Sequence, residues 1–93
     1  MSGAARLRER LRDGLAAEHV EVADESDAHA GHPGAAGGGG HYEVIVVSAR
    51  FVGHDPLARH RLVYEAVGDL ATAGVHALTI SAFTPEEWGS RSA

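Results

Sequence analysis

The sequence predicts an α+β sandwich, in which a three-stranded mixed sheet has helices packed on one face. Three observations support this class: leucines recur every fourth residue near the start, two segments have the apolar pattern of strands, and a capped helix lies between them. The predicted order is helix, strand, strand, helical segment, helix, strand and helical turn. A length of 93 residues corresponds to roughly one domain, so we expect a single unit over 1–93.

The first half of the chain predicts one helix and two paired strands. Residues 4–17 form an amphipathic helix whose apolar stripe is Leu7, Leu11 and Leu15. Residues 20–23 alternate as a strand and then enter an acidic run. Residues 28–41 are rich in Gly and His and predict a mobile loop, and the apolar run 42–48 predicts a central strand.

The second half predicts a capped helix, a third strand and a last turn. Asp55 and Pro56 supply the N-cap and first position of a helix that runs to residue 70 or 71, with Gly74 as its stop. The spacing places six residues on its buried face: His60, Val63, Tyr64, Val67, Leu70 and Ala71. In the strand 75–82, alternation places His76, Leu78 and Ile80 on one face. A capping box in residues 84–87 starts the turn that holds Trp88.

The composition combines no cysteine with seven histidines. Without cysteine the chain has no disulfides, cysteine nucleophiles or thiolate zinc sites, so metal chemistry requires histidine, carboxylate or ligands from a partner. The net charge of −5, with arginine as the only basic residue type, gives no global positive field for nucleic acid. No secretory or membrane-spanning apolar run is visible, and we expect a cytoplasmic protein without membrane contact.

The residues leave several roles open for the histidines. His29, His32 and His41 could form a free-standing zinc site, or they could be solvated loop residues. His60 is expected to pack in the core, whereas His19 and His54 read as exposed turn residues. The chain shows no nucleophile and base pair, paired carboxylates or cofactor fingerprint, so we do not expect an enzyme.

Four blocks of sequence carry a resemblance to a known family. They are DESDAHAGH, VVSARFVG, LARHRLVYEAVGD and VHALTISAFTPEEW, and in this order and spacing they resemble the BolA family over nearly the whole chain. The resemblance implies an αββααβα fold similar to the class II KH domain. It also implies two functions: partnership with a monothiol glutaredoxin around a shared two-iron two-sulfur cluster, and DNA binding as a transcriptional regulator.

The resemblance implies two ligands for the cluster. His76 matches the histidine that the family places at the start of its last strand, and His29 matches the ligand position in the loop between the first two strands, with His32 and His41 ranked behind it. The remaining ligands would come from the glutaredoxin cysteine and glutathione, so we expect no cofactor in the isolated chain. Two imidazole ligands would raise the reduction potential of the cluster and make its binding sensitive to pH.

The alternative function rests on a basic helical surface. Residues 53–56 occupy the place of the Gly-x-x-Gly loop of KH domains but lack its second glycine. The candidate nucleic-acid contacts are Arg50, His54, Arg59 and Arg61, and binding through them would depend strongly on salt. We expect the isolated chain to be a monomer, with a dimer as the alternative.

Overall fold

The fold is a three-stranded mixed sheet with three helices, as the sequence predicts. The computed structural model describes residues 3–25, 40–70 and 75–92. The strands are β1 (His19–Asp24), β2 (Gly40–Val47) and β3 (Val75–Phe83), and the helices are α1 (Gly3–Leu15), α2 (Pro56–Val67) and α3 (Pro85–Ser92). Strand β2 is central, antiparallel to β1 and parallel to β3. A short 3-10 helix, Ala49–Phe51, begins the crossover from β2 to β3.

Helices α1 and α2 cover one face of the sheet and enclose the core. The three leucines of the α1 stripe are fully buried, which confirms the predicted face of that helix. The core continues through alternate residues of β2, the end of the 3-10 helix, the inner face of α2 and the start of β3: Tyr42, Val44, Val46, Phe51, Val63, Val67 and Val75. Helix α1 lies over β1 and against α2, and α2 lies over β3.

Ser48 joins three elements at the end of β2. Its hydroxyl donates a hydrogen bond to the Leu15 carbonyl at 2.6 Å and accepts one from the Arg50 N–H at 3.1 Å. Its own N–H donates to the Phe83 carbonyl at 3.0 Å. Because Ser48 is buried, these bonds satisfy polar groups that water cannot reach.

Helix α2 begins where the sequence predicts and ends earlier. The Asp55 carboxylate accepts a hydrogen bond from the Ala58 N–H at 2.8 Å, and Pro56 occupies the first turn. The helix ends at Gly68, which has a φ of 76°, and not near residue 70 before Gly74. Gly68 adopts this left-handed backbone because it has no Cβ. Arg10 of α1 also donates to the terminal carbonyl of Val67 at 2.7 Å, a tertiary contact that fixes the end of α2.

Two predicted core positions differ from expectation. Tyr64 is 42% exposed, because the side of α2 that carries it turns away from α1 and the sheet. His76 is also exposed and does not share the core face with Leu78 and Ile80. The pairing of β2 with β3 is irregular at this point, where Gly40 pairs with Val75 and His41 with Ala77, so that Val75 takes the buried position.

The last helix contacts the opposite side of the sheet through Trp88. Val47 follows the core residue Val46, and its register partners are His19 and Phe83, so these three residues share the face opposite α1 and α2. The Trp88 ring stacks on His19 with centroids 5.1 Å apart and contacts Phe83 at 5.5 Å. His19 is therefore the first residue of β1 and not an exposed turn residue. None of the helices in the described residues is long and apolar enough to cross a membrane.

Candidate functional site

His76 lies at the end of the sheet where the first connection between strands is attached. Strands β2 and β3 are parallel and begin together, with Gly40 paired to Val75. Strand β1 runs in the opposite direction and ends beside the start of β2, where the Glu25 N–H donates to the His41 carbonyl at 2.7 Å. Glu25 and Gly40, the described residues on either side of 26–39, therefore lie at the same end of the sheet as His76.

The structure places two of the four histidines that the sequence selects as candidate metal ligands. His76 is the unpaired residue of the β2–β3 irregularity and presents an exposed imidazole. His41 is half-buried on the neighbouring strand, paired with Ala77, so the two histidines lie on adjacent strands. His29 and His32 lie outside the described residues.

The donors at this end fit a shared cluster and not a self-contained one. A two-iron two-sulfur cluster needs four ligands, and the chain has no cysteine to supply a thiolate. Within residues 3–25, 40–70 and 75–92, no group of three or more His, Asp or Glu side chains is arranged to hold a metal ion. Exposed imidazole on the rim of the sheet is a suitable donor for a cluster whose other ligands come from elsewhere.

Arg59, a candidate nucleic-acid contact, instead fastens the opposite end of the structure. Its guanidinium forms a two-pronged ion pair with Glu87 at 2.7 and 3.2 Å and donates to the Ala82 carbonyl at 3.2 Å. A further bond reaches the His54 carbonyl at 2.8 Å. The side chain is only 15% exposed, so Arg59 links α2 to β3 and α3 and offers little charge to a ligand.

Glu87 receives an unusual concentration of hydrogen bonds. The bonds from Arg59 and from the Thr84 N–H, the latter at 2.8 Å, lower the pKa of the Glu87 carboxyl from 4.5 to about 2. The Glu87 N–H in turn donates to the Thr84 hydroxyl at 3.2 Å, which completes the predicted capping box of α3. The hydrogen bonds that hold α3 against β3 and α2 therefore account for the lowered pKa of Glu87.

The other basic candidates do not converge on Arg59. Arg50 is exposed on the 3-10 helix, and Arg61 is exposed on α2. Residues two apart on a helix point about 200° away from each other, so Arg61 faces a different side from Arg59. His54 is exposed, and its Nδ1 lies 3.1 Å from the Val52 carbonyl.

The helix start that corresponds to the phosphate-binding loop of KH domains is already capped. The Asp55 carboxylate takes the Ala58 N–H, and the adjacent position is a proline without an N–H. A phosphate there would meet a negative side chain and few open donors. The start of α2 therefore departs from the KH phosphate-binding loop in two ways: it lacks the second glycine, and its N–H groups are already capped.

Among the candidate residues and their neighbours, the sequence does not indicate the contacts of Arg59 with Glu87 or of His19 with Trp88. The pairing of Arg59 with Glu87 joins residues separated by 28 positions, and no local pattern indicates it. In the stack of His19 on Trp88, the His19 Nε2 also lies 2.7 Å from a carboxylate oxygen of Glu21. Because His19, Glu21 and Ala23 alternate with Val20 and Val22, the predicted strand could have been extended back to residue 19.

Comparison with known proteins identifies the family. The family model described as BolA-like protein matches residues 11–87. The chain belongs to the BolA family. This BolA-family chain is 43% identical over 88 residues to BolA-like protein 1 of Homo sapiens, covering 95% of this chain and 62% of that protein. It is 39% identical over 83 residues to the DNA-binding transcriptional regulator BolA of Escherichia coli, covering 89% of this chain and 76% of that protein.

The fold of the family extends over the whole chain. The solution structure of BolA1 protein from Mus musculus aligns with a TM-score of 0.78 and 41% identity, covering 100% of this chain and 73% of that one. The chain spans about three fifths of the length of the BolA-like 1 proteins that it matches. The BolA fold, an α+β sandwich with a mixed sheet, is therefore established for this chain.

Proposed function

We propose that this BolA-family chain is an adaptor that binds a monothiol glutaredoxin and shares a bridging two-iron two-sulfur cluster with it. It is not an enzyme in this proposal. His76 supplies one ligand and His29 of the first inter-strand segment supplies the second, with His32 and His41 as the alternatives for that position. The glutaredoxin cysteine and glutathione complete the four ligands, and the complex serves iron–sulfur trafficking or iron and redox regulation.

The observation that carries this proposal is the position of His76. It is exposed, it lies outside the regular β2–β3 register, and it shares one end of the sheet with both attachment points of the segment that contains His29. His29 is four residues from Glu25, and four residues of extended chain span at most about 14 Å. The connectivity therefore allows a second imidazole to reach the His76 end.

The test is cluster reconstitution with a monothiol glutaredoxin and glutathione, followed by visible absorption and circular dichroism. We expect the His76→Ala variant to lose the spectrum of the mixed complex and the His29→Ala variant to alter it, because each removes one ligand. His32→Ala and His41→Ala test the alternatives for the second position. The matched control is His54→Ala, which removes an exposed imidazole beyond the opposite end of β2.

The spectrum of the mixed complex decides the outcome. A cluster spectrum that is unchanged in His76→Ala would show that this imidazole is not a ligand. Loss of the spectrum in His54→Ala to the same degree would indicate a general effect of histidine removal. Failure of the wild-type chain to bind the glutaredoxin in either the apo or the cluster-loaded state would remove the adaptor role itself.

Direct DNA binding is a second candidate, favoured by the 39% identity to a DNA-binding transcriptional regulator. The exposed side chains Arg50, His54 and Arg61 would contact the phosphate backbone, whereas Arg59 would support them through its contacts with Ala82 and Glu87. In fluorescence anisotropy with duplex DNA, Arg50→Ala and Arg61→Ala should each reduce the salt slope by about one.

The control for DNA binding is Arg12→Ala, which removes an exposed arginine from α1. It should leave the affinity for duplex DNA near that of the wild type. Equal weakening by all three substitutions would indicate nonspecific attraction to arginine charge. No binding at low salt would eliminate this candidate.

A further inference from the structure

Strand β3 is an unusually unprotected edge of the sheet. It spans nine residues, Val75–Phe83, and contains no Asp, Glu, Lys, Arg or Pro. Proteins ordinarily protect such edges with charges, prolines or short strands, because an open edge pairs with other strands. The other edge, β1, is protected in this way by Glu21 and Asp24.

Two hydrogen bonds show which backbone groups of β3 point outward. The Phe83 carbonyl accepts from Ser48 on the β2 side, whereas the Ala82 carbonyl accepts from Arg59. Successive residues of a strand direct their backbone groups to opposite sides, so Leu78 and Ile80 point outward with Ala82. Within the described part of the chain, these outward groups of Leu78 and Ile80 have no hydrogen-bond partner outside the sheet.

The side of α2 above this edge is apolar. Ala66 faces α1, since a Cβ at Gly14 would lie 2.8 Å from the Ala66 Cβ. Helical periodicity then places Leu57 and Tyr64 on the side of α2 that is turned away from α1. Leu57 is 61% exposed and Tyr64 is 42% exposed, and α2 packs over β3. An open strand edge and an exposed apolar strip therefore lie on the same side of the molecule.

We propose that β3 pairs antiparallel with β3 of a second copy of this chain, about a two-fold axis at Thr79. In this register Leu78 lies opposite Ile80 of the second copy, and Ile80 lies opposite Leu78. Each of these pairs exchanges two backbone hydrogen bonds. The half-buried side chains of Leu78 and Ile80, which pack against the core, then pack against each other across the axis.

The charge distribution favours a second copy as the occupant. A chain with a net charge of −5 repels its own copies wherever acidic residues meet. Antiparallel self-pairing of β1 would bring acidic side chains together, whereas self-pairing of β3 brings none. The register is also self-complementary, because the residues on either side of Thr79 are both large and apolar. This dimer is the alternative to the monomer that the sequence predicts.

The sharpest test is disulfide trapping, because the chain contains no cysteine. Residues opposite each other at the axis form a non-hydrogen-bonded pair with a Cα separation of about 4.5 Å, which suits a disulfide. We expect Thr79→Cys to form a covalent dimer on mild oxidation, at least about tenfold faster than Ala23→Cys. Ala23 is the matched control because it is also exposed and lies on the other edge strand.

A charge-swap experiment tests the same axis without a covalent bond. Thr79→Lys and Thr79→Glu each place like charges opposite each other, so each variant should sediment as a monomer with a dimer dissociation constant raised at least about tenfold. An equimolar mixture should regain the dimer, because Lys then faces Glu. Circular dichroism should show that each variant is folded, because Thr79 is exposed.

The outcomes are distinct. A wild-type chain that remains monomeric up to millimolar concentration would overturn the proposal, and an extended segment of another protein would then be the occupant of the edge. Equal trapping rates for Thr79→Cys and Ala23→Cys would also overturn it. A dimer that persists unchanged in Thr79→Lys would show that a different surface mediates association. None of these results depends on cluster binding at His76.

Discussion

A close approach of α1 and α2 depends on Gly14, and adding one methyl group there tests this packing. A Cβ at Gly14 would lie 2.8 Å from the Cβ of Ala66 and 3.1 Å from its Cα. Carbon atoms pack favourably at about 3.5–4.0 Å, so the Gly14→Ala substitution requires the two helices to separate by roughly 1 Å. That separation opens the junction between the α1 leucines and the buried face of α2.

The expected change in the free energy of unfolding is the balance of two opposing effects. Alanine is more favourable than glycine in a helix by about 1 kcal/mol, whereas overpacking a closed contact costs about 1–3 kcal/mol. We therefore expect Gly14→Ala to lower the free energy of unfolding by about 0–2 kcal/mol. In an Ala66→Gly background the Cβ contact is removed, so the same substitution should become neutral or stabilising. The coupling between the two positions should be about 1–2 kcal/mol.

Urea denaturation followed by far-ultraviolet circular dichroism measures all four members of this cycle. The control is Gly89→Ala in α3, where a new Cβ would meet nothing within 4 Å. That change should raise the free energy of unfolding by about 0.5–1 kcal/mol. If Gly14→Ala stabilises the chain as much as Gly89→Ala does and shows no coupling to Ala66, the two helices are not in close contact at Gly14.

Three further predictions concern the ends of the secondary structure. Ala16 ends α1 with a φ of 47°, so Ala16→Gly should raise the thermal midpoint by the equivalent of about 1 kcal/mol. Ser48→Ala should lower the free energy of unfolding in urea by about 1–3 kcal/mol, because it leaves the buried end of α1 at Leu15 without its donor. Glu87 has a folded pKa of about 2, below its ordinary 4.5, because of Arg59. The unfolded chain therefore takes up that proton first, and the contribution of Glu87, complete above about pH 4.5, should be lost as the pH falls toward 2. Thermal melts across that range should show a smaller loss in Glu87→Gln.

The sequence predicts most of the fold because its strongest signals are local. A continuous apolar run identifies β2, alternation identifies β3, and four-residue spacing identifies the buried stripe of α1, all without reference to the rest of the chain. The end of α2 could not be placed in this way, because Gly68 and Gly74 are both acceptable stops. The choice depends on Arg10 of α1, which donates to the Val67 carbonyl, and that is a tertiary contact.

The candidate site, like the fold, could be predicted from local sequence only in part. The motif around His76 is visible in the sequence, but its exposure depends on an irregular pairing with β2 that alternation does not reveal. The structural role of Arg59 depends on Glu87, and the helical pattern alone suggested a free basic surface. Local sequence thus indicates which residue types carry chemistry, while the pairing of distant elements determines which of them are available.

The two proposals place separate demands on β3, and their geometry makes them compatible. Antiparallel pairing about Thr79 puts His76 of each copy three residues from the axis, on opposite sides of it. Six strand steps of about 3.3 Å separate the two residues along the strands by roughly 20 Å. This distance exceeds what one two-iron cluster can bridge, so the two His76 side chains cannot serve the same cluster. A dimer would therefore have two separate cluster sites, one at His76 of each copy, and would bind two glutaredoxins, whereas a monomer would bind one. The mass of the cluster-loaded complex, measured by light scattering for the wild type and Thr79→Lys, separates these stoichiometries.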